Sequence, residues 1–162
     1  MTTTSYQPSS INKLLMKWLA EHRQLIAFKQ ELLNACSPIL QGQSNYNLAL
    51  LSLYRKVQEF SKLWTNHVKE EEQTLMPVLA NLLGEERGML AVLNCEHEQI
   101  AFHLKAFLSC ARPRETVIPL PAAKSLVFHI LEIDKRLNSH IKKEESIIFP
   151  ILQDHQRDSL LE

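Results

Sequence analysis

The chain has 162 residues, 45% of them apolar, which suits one domain with a core of its own. Eighteen Lys and Arg balance eighteen Asp and Glu, so there is no cationic excess for nucleic-acid phosphates or for a polybasic membrane contact. Only three glycines occur, against the habits of barrels, sandwiches and phosphate loops, and no run of about eighteen apolar residues could span a bilayer.

The Thr/Ser-rich start has neither the basic nor the apolar block of a secretory signal. Cys36, Cys95 and Cys110 are odd in number and widely spaced, which reads as thiols in a reducing compartment. The expectation is a soluble, cytoplasmic, all-α protein. Residues 1–10 form a flexible N-terminus, 11–155 a helical domain and 156–162 a tail.

Apolar residues recur at helical spacing in four blocks. The first runs from about Ile11 to Cys36, with Ser9 or Ser10 as N-cap and Leu14, Leu15, Trp18, Leu25 and Leu32 on one side. A loop follows from Ser37 through Pro38 to Asn45. The second block runs from Asn47 to about Leu83 with Leu50, Leu53, Val57, Phe60, Trp64, Leu75 and Leu79, and Pro77 inside it predicts a kink or an early end. Gly84 and Gly88 flank a turn. The third block extends to about Cys110 with Leu90, Leu93, His97, Leu104 and Leu108. Three prolines make 111–121 a connector, and Pro121 suits the first helical position of the last block, which carries Leu126, Ile130, Ile133, Leu137 and Ile141 and has Pro150 near its end. Short connectors favour antiparallel neighbours, hence an up-down-up-down four-helix bundle of two pseudo-repeated hairpins.

The repeat extends to polar residues. Glu21-His22-Arg23-Gln24 matches Glu96-His97-Glu98-Gln99, and His67, Glu71, Glu72 and Pro77 recur as His140, Glu144, Glu145 and Pro150. A histidine and a glutamate four residues apart share one helix face, and both pairs lie on otherwise apolar stripes. A carboxylate directed into a core is costly unless a cation meets it, and few Lys or Arg fall on those faces. His22 and His97 sit on the matching stripes of the first and third helices. Four inward imidazoles and two inward carboxylates suit a pair of first-row divalent ions, with iron, manganese and zinc all admitted by nitrogen and oxygen donors.

This constellation resembles the hemerythrin-like, HHE cation-binding family over about Ile11 to Leu152, on Glu-His in helices one and three and His-x3-Glu-Glu ending in Pro in helices two and four. The resemblance implies a non-haem di-iron centre, with His22 and His67 on one iron, His97 and His140 on the other, and Glu71 and Glu144 bridging. It also implies binding or sensing of dioxygen or a similar small ligand, or the handling of iron, and any signal would need a separate protein partner. Two further readings stand beside it: a di-iron oxidoreductase acting on peroxide or nitric oxide, and a zinc-stabilised interaction module.

The chain departs from the oxygen carriers of that family in two places. Their second histidine, four residues after the one on helix three, is Ala101 here, and their aspartate five residues after the helix-four histidine is replaced by Glu144 at four. The first departure predicts an open position near His97, for which Glu96, Glu98 and, through a distorted helix, His103 are minor candidates. Glu21 and Glu70 read as surface charge, and Glu72 and Glu145 as solvated flanks or outer partners. His129, some 16 Å of helical rise from His140, reads as a polar core or end-of-bundle residue, and His155 as exposed. Cys95 is expected to pack as a small apolar group, and Trp18 and Trp64 to seal the site.

Overall fold

A computed structural model describes residues 8–84, 88–113 and 116–158. The described residues form an all-α four-helix bundle. The first rod is α1 (Pro8–Leu40). The second joins α2 (Tyr46–Glu70), a π-helical segment π1 (Glu71–Leu75) and α3 (Met76–Leu83). The third is α4 (Gly88–Cys110), and the fourth joins α5 (Leu120–Lys143), π2 (Glu144–Ile148) and α6 (Phe149–Asp158). Among the described residues no helix is long and apolar enough to cross a membrane. Of the expected N-terminal segment, residues 1–7 lie outside the described residues, as do 159–162 of the expected tail.

Buried positions explain the bundle. Along α1 they fall at Leu15, Trp18, His22, Leu25, Lys29, Leu32, Cys36 and Ile39, in alternating steps of three and four, and α2 repeats this from Leu50 to His67. That spacing keeps one narrow seam facing the neighbouring rods. His22, His67, His97 and His140 occupy seam positions that leucine fills elsewhere. Lys29, buried in the same seam, reaches across to Asp134 Oδ1 at 2.7 Å and Asn138 Oδ1 at 2.8 Å on α5.

The core has two parts. Leu25, Leu32, Ile39, Leu53, Phe60, Leu104, Ile130 and Leu137 belong to the larger cluster. Leu15, Trp18, Leu75, Leu79, Leu93, Ile148 and Leu152 belong to the smaller. The C-terminal half of α1 thus packs with the N-terminal half of α2, and α4 and α5 pair in the same reversed sense, which is the up-down-up-down order.

Three local expectations are corrected. First, α1 begins at Pro8, so Ser9 and Ser10 lie inside it, and it runs past Cys36 through Pro38 to Leu40. Burying Cys36 and Ile39 is worth a few kcal/mol, enough to offset the cost of about 3 kcal/mol for an interior proline. The rod ends at Leu40 and is closed by the turn at Gly42, whose φ of 65° is open to glycine; its N–H bonds Ile39 O at 3.1 Å and that of Gln43 bonds Pro38 O at 3.0 Å. Second, Pro77 does not end its rod early: α3 carries on to Leu83, with the α-helical pattern interrupted by π1 just before the proline, and Pro150 has the same setting after π2. Each proline stands two residues past the end of a π segment, and the wider turn spares the i−4 carbonyl from the proline ring. Third, Cys95 is exposed rather than packed, and its sulfur accepts from Gln99 Nε2 at 3.4 Å.

Candidate metal centre

The π segments place the carboxylates. His67, Glu71, Leu75 and Leu79 follow one another in steps of four, as do His140, Glu144, Ile148 and Leu152, and all eight are buried. On an unbroken α-helix each such step drifts about 40° around the axis, so the last residue would leave the seam. One π turn in each rod absorbs the drift, which lets a glutamate and the aliphatic residues beyond it face inward together.

Six side chains meet between the two halves of the core. His22 is 2% exposed, His67 2%, Glu71 1%, His97 3%, His140 0% and Glu144 0%. The Glu71 carboxylate spans the pocket, with Oε1 at 3.0 Å from His67 Nε2 and 3.9 Å from His22 Nε2, and Oε2 at 3.2 Å from His97 Nε2. Glu144 mirrors it, with Oε2 at 3.1 Å from His22 Nε2 and Oε1 at 3.2 Å from His140 Nε2. Two overlapping groups result, His22, His67, Glu71 and Glu144, and Glu71, His97, His140 and Glu144, each with ligand atoms within 4.8 Å of one another.

These atoms are close but poorly paired. Both oxygens of Glu71, both of Glu144, and Nε2 of His22 and His67 are sealed from water without a hydrogen-bond partner. Leaving such groups unsatisfied is expensive, and the cost is greatest for a charged one. Two donors about 2.1 Å from a common ion and at right angles stand about 3 Å apart, the spacing found here. The donor set is imidazole and carboxylate without thiolate, which suits first-row divalent ions. The residues therefore fit a metal pair.

Electrostatics agree. Burial works against a charged His22, but Glu144 and Glu71 outweigh it and raise its pKa to about 10. His67 and His140 are raised in the same way, against burial, chiefly by Glu71 and by Glu144 respectively. Burial opposes ionisation of Glu71, yet His22, His67 and His97 hold it well below the usual carboxylate range; His140 and His22 lower Glu144. Without metal, charge attraction between these rings and carboxylates holds the pocket together, while the same atoms still lack well-aligned hydrogen bonds.

A second ring of carboxylates grips the outer nitrogens. Glu21 Oε2 lies 2.9 Å from His67 Nδ1, Glu96 Oε2 3.1 Å from His140 Nδ1, and Glu145 Oε1 3.0 Å from His22 Nδ1. A carboxylate only accepts, so each of these Nδ1 atoms carries a proton, and in the neutral ring Nε2 keeps its lone pair toward the pocket. The reading of Glu21 as surface charge is thereby corrected. The repeated Glu-His dipeptide was the available signal, since in both hairpins its glutamate serves the histidine of the next rod.

The other candidates go elsewhere. Glu96 serves His140 and Lys143, and Glu98 is exposed, so neither fills the position by Ala101. Ala101 instead lines a cleft of about 570 Å³ with Tyr54, Trp64, Lys105 and Arg112. His103 and His129 pair with each other, Nδ1 to Nδ1 at 3.0 Å, away from the centre, and His155 is exposed. Trp64 stands against three of the imidazoles, with ring centroids 5.9 Å from His67, 5.5 Å from His97 and 5.7 Å from His140. Trp18 lies in the smaller core cluster.

Compared with known families, residues 14–152 match the hemerythrin HHE cation binding domain. The chain belongs to that family. No curated protein and no solved structure gives a significant match. For this hemerythrin-domain chain, the His/Glu clusters are thus metal-site candidates on both geometry and membership.

Proposed function

We propose that the protein holds two iron ions, one between His22 and His67 and one between His97 and His140, bridged by Glu71 and Glu144, and that it binds or senses dioxygen or a related small ligand there. One observation carries this reading: each buried carboxylate turns one oxygen to each histidine pair. When bound, iron supplies the redox chemistry and the affinity for a small diatomic.

The chain supplies the rest. Glu71 and Glu144 remain ionised and offset much of the cationic charge. Glu21, Glu96 and Glu145 fix three imidazoles so that Nε2 faces inward. Trp64 and Phe149, the latter stacked on His22 at 5.8 Å, wall out water. Ala101 brings no donor atom, which supports an open position for the exogenous ligand on the His97 side. Three free cysteines support a reducing, cytoplasmic setting.

Elemental analysis and an optical spectrum of protein purified with and without air test the proposal. Two irons per chain and oxo-to-iron charge-transfer bands are expected. A colourless protein holding a single zinc refutes it in favour of a zinc-stabilised module. Sustained turnover of peroxide or nitric oxide with a reductant would move the assignment to an oxidoreductase.

A further inference from the structure

The two hairpins repeat each other, but their histidines are not equally supported. Nδ1 of His22, His67 and His140 each faces a carboxylate. Nδ1 of His97 is buried without a hydrogen-bond partner among the described residues. The repeat predicts Glu72 there, as the counterpart of Glu145, yet Glu72 is exposed and makes no such contact. His22 is also stacked on Phe149, with the rings 6° from parallel, whereas the counterpart of Phe149 in the other copy is Met76. Ala101 adds no donor on the His97 side.

A histidine that coordinates through Nε2 keeps its proton on Nδ1, and an acceptor for that proton orients the ring and strengthens it as a ligand. Loss of such an outer partner typically weakens metal binding about 10- to 100-fold. We infer that the two metal positions are unequal: the His22/His67 position retains its ion, and the His97/His140 position gives its ion up first. The inequality rests on the metal-centre reading above and adds to it which position exchanges.

The test uses full-length chain loaded with ferrous iron without air and challenged with a chromophoric ferrous chelator. Iron is expected to leave in two steps of one ion each, with rates about 10- to 100-fold apart. Glu145→Ala should speed the slow step toward the fast one, while Glu72→Ala changes neither. Both residues are exposed, so these variants keep the fold. His97→Ala should retain only the slowly released ion, which assigns the steps. Two irons leaving at one common rate, or a slow step untouched by Glu145→Ala, would overturn the inference while leaving the metal centre intact. Wild-type chain that takes up no iron defeats both.

Discussion

Replacing Glu71 by glutamine keeps the shape of the side chain and removes one negative charge from the middle of the pocket. In the proposed centre this withdraws one anionic oxygen from each metal position, because Oε1 faces His67 and Oε2 faces His97. Glu144 is then left as the one inward carboxylate for two dications. Removing one partner of a buried, charge-assisted contact costs about 3–5 kcal/mol, which is roughly two to three and a half decades in affinity. At free metal one hundred times the wild-type Kd, a bound ion stabilises the fold by about 2.7 kcal/mol. For a chain of this size that is a rise in Tm of about 5–11 °C. A variant one hundredfold weaker keeps about 0.4 kcal/mol at the same concentration, or about 1–2 °C. Thermal unfolding with and without added ferrous iron, followed by elemental analysis, reads the difference. Glu72→Gln, one residue along and exposed, is the control and should behave as wild type. If Glu71→Gln binds two ions and shows the full metal-induced shift, the bridging role is wrong.

Metal uptake near pH 7 should release at least one proton, since His22 titrates at about 10 in the metal-free chain and must be neutral to coordinate. Calorimetry in buffers of different ionisation heat measures the number, and zero protons would contradict the assignment. The metal-free protein should be most stable between about pH 4.5 and 6.5. His22 contributes fully below its unfolded value and loses that contribution as pH climbs through about 10, His67 and His140 are raised and act in the same sense, and the depressed carboxylates contribute above their unfolded value and lose it as pH falls. Urea midpoints rising steadily from pH 5 to pH 9 would refute this. Trp64→Ala should destabilise by about 3–5 kcal/mol and hasten metal loss, because the indole fills space against three imidazoles. A variant of normal stability and metal retention would show that the indole is no wall of the centre.

The four rods, their order and the six inward groups were all legible, because each leaves a periodic trace in the sequence. The π segments were less so. Their signal is the run of four-residue steps from His67 to Leu79 and from His140 to Leu152, which a straight α-helix could not keep on one face. The continuation of α1 through Pro38 was hidden because local propensity opposes it and burial of Cys36 and Ile39 decides it. The outer carboxylates escaped for another reason: Glu21 and Glu96 are polar residues beside a seam, and nothing in periodicity tells a solvated glutamate from one that grips a ring on the next rod. Glu72 and Glu145 show the limit most clearly. They hold equivalent places in the repeat, yet only Glu145 finds an imidazole.

The His/Glu layer also parts the greasy interior into two unequal blocks, with Leu25 and Phe60 on one side and Trp18 and Leu79 on the other. Every rod crosses that boundary once, so cations seated there would tie the blocks into one cooperative unit. Stripped of them, the smaller block, which lies beside Pro77, Pro150 and the Gly84 turn, has fewer apolar neighbours to hold it and becomes the end that opens first. Metal occupancy would then be legible far from the ions, as slower amide exchange along α3 and α6.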